Sequence, residues 1–331
     1  MDTRQLGKTG PTVSALGLGA MGMSALYGPS DRDESIATIY AALDGGVTLI
    51  DTGDFYGMGH NELLIADALR HRRREDVVIS VKFGAQRGPD GAWLGFDARP
   101  EAVKTALAYT LQRLGTEYVD IYRPARLDPR VPIEDTVGAI AEMVEAGWVR
   151  HVGLSEVGAG TIRRADAVHP VSDLQIEYSL ASRGIEREIL PVCRELGIGV
   201  TAYAVLSRGL LSGHWSADRE IVASDFRGHS PRFQGDNLRR NLALVETLRG
   251  VADDLGVSVG QVSIAWVAAQ GDDIVPLIGS RRRVQLAEAL GSAALRLGEA
   301  ELARIEAAVP MDAVAGDRYA AEQMAMLDSE R

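Results

Sequence analysis

The sequence predicts an α/β protein, a closed (β/α)8 barrel with an N-terminal β-hairpin, on three observations. Short apolar runs alternate eight times with amphipathic helical stretches, and strands separated by helices pair in parallel. The chain has 331 residues, which suits one barrel-sized domain. Polar residues close the apolar runs at Asp51, Lys82, Ser155, Gln175 and Tyr203, with Gly279-Ser280-Arg281 after the last one. Barrels of this kind carry their sites at the C-terminal ends of the strands. A doubly wound open sheet is the rival architecture.

The elements follow from local signals. Residues 1–14 read as the hairpin, turning through Gly7 to Pro11. A first strand over residues 15–18 leads to a helix whose start is marked by Asp31 and Glu34, the spacing of a capping box, and whose end is Gly45-Gly46. Strands are expected at 47–50, 77–81, 119–122, 149–154, 174–176, 199–203 and 274–277. Helices are expected at 61–69, 100–114, 133–146, 160–168, 185–196, 237–255, 259–270, 285–290 and 299–309. Val103, Leu107, Leu111 and Leu114 form one apolar face. Residues 311–331 read as a tail, and the whole chain as a single domain.

Composition narrows the function. A net charge of −11 argues against broad nucleic-acid or anionic-membrane binding. The single cysteine, Cys193, excludes an intrachain disulfide and reads as a core residue. The N-terminus lacks a signal-peptide pattern and no apolar run reaches the ~20 residues of a membrane span, so a cytoplasmic protein is expected. The six histidines show no metal-binding spacing and no metal is expected. Gly17 to Gly22 matches GxGxxG, but no helix opens at its third glycine, so it is not a Rossmann fingerprint.

The chemistry is expected in the stretch VTLIDTGDFYGMGHNE, residues 47–62. Asp51 ends a strand, Tyr56 sits in the Gly-rich loop beyond it, and Lys82 ends the next strand. An Asp–Tyr–Lys cluster can do acid–base work, since a lysine beside a phenol favours the phenolate and lowers its pKa. Two loops suit phosphate: the small-residue run from Ser207 to Gly213, whose backbone N–H groups can wrap a pyrophosphate, and Gly279 to Arg283 after the last strand.

These motifs resemble the aldo-keto reductase superfamily over nearly the whole chain. RQLGKTGPTVSALGLGAMGMS resembles the family's hairpin and first strand, LIDTGDFYG its Asp/Tyr motif and VISVKFG its lysine strand. AGWVRHVGLSE, DLQIEYS, YAVLSRGLLSG and IVPLIGSRRR resemble its cofactor-binding segments. The likeness is to bacterial enzymes of small or cyclic carbonyls, with some similarity to the pyridoxal reductase branch. It implies an NADPH-dependent reductase of a small-molecule aldehyde or ketone, reversible, on a barrel without a Rossmann fold. By resemblance, Tyr56 is the general acid, Lys82 tunes it and Asp51 pairs with Lys82. Ser155, Glu156 and Gln175 would hold the nicotinamide carboxamide, and Tyr203 would stack on the ring. Leu206, Ser207 and Gly209 would meet the pyrophosphate, and Gly279, Ser280 and Arg281 the 2′-phosphate end.

Two departures stand out. Ala125 occupies the position of the family's catalytic histidine, and Ala289 and Gln285 replace an asparagine and an arginine common at the adenine end. Strand alternation puts Ala125 toward the pocket and Arg123 one layer deeper, where it should be paired, Asp51 being the candidate, unless a twist at Pro124 displaces it. Two other functions stay open: a Schiff-base lyase using Lys82, and a non-catalytic NADPH-binding regulatory subunit, which the missing histidine favours.

Overall fold

The structure, a computed structural model, describes every residue of the chain except Ala25 and Ala223. Strands β1 (Thr3–Gln5) and β2 (Thr12–Ser14) pair antiparallel as the N-terminal hairpin. Eight parallel strands close the barrel: β3 (Gly17–Gly19), β4 (Leu49–Gly53), β5 (Val78–Phe83), β8 (Val119–Pro124), β9 (Val149–Ser155), β10 (Val171–Glu177), β11 (Gly199–Tyr203) and β12 (Ile274–Gly279). The last closes on the first through Leu277 opposite Gly17. The expected barrel is therefore the observed one. A second hairpin, β6 (Ala85–Arg87) with β7 (Trp93–Phe96), follows the lysine strand and has no counterpart in the sequence reading.

Helices cover the barrel where periodicity places them. The helix Pro100–Leu114 starts with proline, whose fixed φ suits the first turn, and ends at Gly115 in the left-handed conformation. Asp31 caps the helix Arg32–Asp44 by accepting from the Glu34 amide. The reciprocal half of the capping box is absent, because the Glu34 carboxylate turns to Arg283 instead.

Alternation along the strands divides the side chains into two sets. Ile50, Ile79, Val81, Tyr122, Leu174, Ile176 and Val200 face outward into the helix-lined core. The inward set is layered. Leu49, Ile121, Val275 and Leu277 form an apolar floor, closed from below by Leu6 and Val13 of the hairpin. Above it lies a buried polar layer of Asp51, Ser80, Lys82, Arg123, Asp173, Gln175 and Thr201. Such groups are stable out of water only when hydrogen-bonded to one another, and here they are. Arg123, fully buried, donates to Asp173 at 2.9 Å and to the Ser80 hydroxyl at 2.7 Å. Its partner is thus Asp173, not Asp51, and Pro124 does not displace it. Gly153 makes the space, since a Cβ there would stand 2.9 Å from Asp173 Oδ1 and 3.2 Å from Arg123 Nε.

Candidate active site

The polar layer opens toward the C-terminal ends of the strands. Among the described residues, five non-glycine residues have left-handed backbone: Met58, Glu156, Ala204, Ser207 and Arg208. All five lie in loops that follow barrel strands at this end. Such conformations cost free energy and cluster where a site requires them.

Lys82 and Asp51 meet through a direct Nζ-to-Oδ1 hydrogen bond. Register explains their closeness: β4 and β5 are neighbours, with Asp51 opposite Ser80 and Gly53 opposite Lys82. The other Asp51 oxygen accepts from Gln175 at 2.7 Å and from Ser80 at 3.0 Å. Burial lowers the Lys82 pKa to about 8, against the pull of Asp51, and the Arg123 charge adds to the lowering.

Tyr56 stands over this pair, its ring centroid 5.1 Å from Lys82 Nζ. The residue is buried, and no side chain among the described residues hydrogen-bonds its hydroxyl. The expectation of a lowered phenol pKa is overturned. Burial, reinforced by the Asp51 charge, pushes it well above 10, and the Arg126 charge opposes this without reversing it. Tyr56 is a phenol here, the form that donates a proton.

Ser155 lies opposite Gln175 in the pairing of β9 with β10. Its hydroxyl is buried and has no partner among the described residues. An orphaned hydroxyl beside a buried amide fits a ligand carboxamide, which carries both a donor and an acceptor. Glu156 is placed otherwise than expected. Its carboxylate accepts from Arg318 at 2.6 Å, from Ser329 at 2.7 Å and from Tyr203 Oη at 2.8 Å. Burial, the largest single influence, works to raise its pKa, but the Arg318 charge and hydrogen bond, the Arg126 charge and the Glu177 amide together outweigh it and hold it well below the carboxylate range.

Arg318 and Ser329 belong to the segment read as a tail. The segment instead packs on the site, with Arg318 buried against Glu156 and Tyr319 Oη 3.0 Å from Tyr203 Oη. Nothing local marks Arg318 for this: it lies 162 residues from Glu156 along the chain.

Leu206, Ser207 and Gly209 lie at one turn after β11, where Ser207, Arg208 and Gly209 are successively left-handed. Arg208 pairs with Glu177 at 2.9 Å, Arg232 reaches Ser207 Oγ at 3.3 Å, and Arg227 pairs with Asp225. Arg208 lies inside the run singled out from the sequence, whereas Arg227 and Arg232 escaped it, and the density of arginines after β11 was the one signal for them. Backbone amides and guanidinium groups together make this turn suited to an anion.

Gly279 pairs with Gly19 across the closing strands, and Ser280 is buried beside it. Arg281 Nη1 donates to the carbonyls of Tyr27, Gly28 and Pro29 at 2.9–3.3 Å. Arg283 is committed to Glu34. Of the arginine run, Arg282 alone makes no hydrogen bond or ion pair through its side chain among the described residues.

The fold is a closed barrel that sets a phenol over a buried ammonium–carboxylate pair, with arginines on the loops beyond the strands. The aldo/keto reductase family model matches residues 15–310. The chain is 42% identical over 318 residues to probable aldo-keto reductase 1 of Glycine max, covering 95% of this chain and 91% of that one. It is 39% identical over 321 residues to aldo-keto reductase yakc (NADP(+)) of Schizosaccharomyces pombe, covering 96% and 94%. Among solved structures, the glycerol dehydrogenase AKR11B4 of Gluconobacter oxydans superposes with a TM-score of 0.85 at 27% identity, over 93% of this chain and 94% of that one. The chain belongs to the aldo/keto reductase family and is an oxidoreductase. No helix among the described residues is long and apolar enough to cross a membrane.

Proposed function

We propose that this protein is a cytoplasmic, NADPH-dependent reductase of a small aldehyde or ketone, with Tyr56 as proton donor. The observation that carries the reading is the Tyr56 phenol, without a side-chain partner among the described residues, over the buried Lys82–Asp51 pair. Ser155 and Gln175 would hold the carboxamide of the cofactor. The turn at Leu206, Ser207 and Gly209 would take its pyrophosphate, and Gly279, Ser280, Arg281 and Arg282 its 2′-phosphate end. The relative named with NADP(+) supports this choice of nucleotide. When bound, NADPH supplies a hydride to the carbonyl carbon.

The residues of the chain do the rest. Tyr56 gives its proton to the carbonyl oxygen as that oxygen gains charge, leaving a phenolate and the alcohol. The Lys82 ammonium, fixed by Asp51, stabilises the phenolate. In the reverse direction the same tyrosinate takes the alcohol proton. Glu156 is engaged by Arg318, so its part is to anchor the C-terminal segment rather than to contact the carboxamide. Tyr203, hydrogen-bonded to Glu156, would present its ring to the nicotinamide.

A panel of aldehydes and ketones, followed by NADPH oxidation, tests the reading. Turnover of at least one carbonyl, lost in Tyr56→Phe, is expected. NADPH binding with no carbonyl reduced would favour the regulatory role that Ala125 suggests. The Lys82 pKa near 8 would also suit an amine nucleophile. Borohydride trapping of a Lys82 adduct without NADPH would favour that lyase instead.

A further inference from the structure

Arg126 carries a charge that no carboxylate among the described residues neutralises at ion-pair distance. It follows Ala125 directly at the end of β8. Its Nη1 donates to the Ala125 carbonyl at 2.6 Å and its Nη2 to Tyr319 Oη at 3.3 Å, and no ion pair joins it among the described residues. Its neighbours differ. Arg123 is paired with Asp173, Arg208 with Glu177, Arg227 with Asp225 and Arg318 with Glu156. Glu156, the carboxylate whose charge reaches Arg126, is already held by Arg318, Ser329 and Tyr203.

A partly buried guanidinium that lacks a counter-ion is costly, and a ligand anion removes the cost. The location says which ligand. Arg126 adjoins Ala125, where the side chain is smallest, and its charge acts on both Tyr56 and Lys82. Through Tyr319 it also joins Tyr203, whose hydroxyl is 3.0 Å from that of Tyr319, so it lies on the same strand-end face as Tyr56 and Lys82. The turn suited to a pyrophosphate, at Leu206 to Gly209, belongs to another strand and has Arg208 of its own.

We propose that Arg126 receives the anionic group of the substrate, so that the native substrate is an aldehyde or ketone bearing a carboxylate or phosphate. The inference rests on Tyr56 as the proton donor of a carbonyl reductase. A planar guanidinium takes either anion through two parallel hydrogen bonds and orients it as well as attracting it. It would thereby supply part of the substrate orientation that an imidazole at position 125 would provide.

The test compares matched substrates in the wild type, Arg126→Met and Arg126→Lys. One pair is benzaldehyde and 4-carboxybenzaldehyde, and the other is glyceraldehyde and its 3-phosphate. The wild type should prefer the charged member of at least one pair, and the pair with the larger preference identifies the anion. In Arg126→Met the ratio of kcat/KM for charged over neutral substrate should fall roughly 10- to 100-fold, the range of one charge-assisted contact. The loss should lie mainly in KM. Arg126→Lys should recover part of it, and the NADPH Kd of both variants should stay near wild type, which also reports that they fold. A wild type indifferent to charge in both pairs, an equal loss for both members of a pair, or a parallel loss of NADPH affinity would each overturn the proposal. Should the wild type reduce no carbonyl, the reductase reading fails by itself. Titration with 4-carboxybenzyl alcohol then decides on Arg126: binding lost in Arg126→Met supports the anion site, and binding that is absent or unchanged rejects it.

Discussion

Lys82 Nζ lies 5.1 Å from the centre of the Tyr56 ring and donates at the same time to Asp51. The lysine is held by the carboxylate while the phenol hydroxyl has no side-chain partner among the described residues. Tyr56→Phe keeps the ring and removes only the proton. Turnover should fall about 10²- to 10⁴-fold, with NADPH affinity nearly unchanged. Activity within a factor of two of wild type would remove Tyr56 from the chemistry.

Lys82 sets a pH dependence. Its pKa in the folded protein is about 8, against an ordinary 10.5. Below about 8 the ammonium is charged and can stabilise the phenolate. Reductive kcat/KM should therefore decline as pH rises through 8, and a residually active Lys82→Met should lack that limb. The stability consequence has the opposite sense. Between about 8 and 10.5 the unfolded chain holds a proton that the folded chain does not, so this group's contribution to stability rises with pH there. Its burial penalty is complete below 8. Denaturant titrations of wild type and Lys82→Met across this window should show the slope in the wild type alone.

Ala125 is buried, and its amide donates to the Phe83 carbonyl at 2.8 Å. An imidazole there would take up room next to the end of the lysine strand. Ala125→His should lower kcat/KM for bulky carbonyls while sparing or improving small aldehydes. A uniform gain on every carbonyl would instead mark Ala125 as a lost catalytic position.

Cofactor preference should depend on Arg282 more than on Arg283, because Glu34 already engages the latter. Arg282→Ala should weaken NADPH by several-fold up to about tenfold and leave NADH nearly unaffected. Raising salt should narrow the gap between the two cofactors in the wild type. Equal losses for NADPH and NADH would assign the discrimination elsewhere.

Glu156 and Arg318 pin the C-terminal segment. Glu156→Gln removes one of three carboxylates around the buried Arg318 guanidinium and leaves Glu330 at 2.7 Å and Glu177 at 3.4 Å, so the loss should fall below the about 3–5 kcal/mol of a fully broken buried pair. Its depressed pKa adds a pH signature: the stabilisation is complete above 4.5 and is lost as pH falls toward the folded value. The acid limb of wild-type stability should be shallower in Glu156→Gln. A melting temperature unchanged by the substitution would show that the segment is held by other contacts.

The barrel, its hairpin and the strand-end positions of Asp51 and Lys82 were legible in the sequence. They depend on local quantities: apolar periodicity, glycine stops and proline starts act over a few residues. Even the inward direction of Arg123 followed from counting along one strand. The tertiary structure decided which charges meet. Arg123 found Asp173, 50 residues away, and Arg318 found Glu156, 162 residues away. It also decided that Tyr56 is held as a phenol, because burial at that spot outweighs the nearby cations. An arginine in the sequence carries the same charge whether paired or not. Only the folded arrangement of all the carboxylates leaves Arg126 without one, since an ion pair depends on distance through space and not on position along the chain.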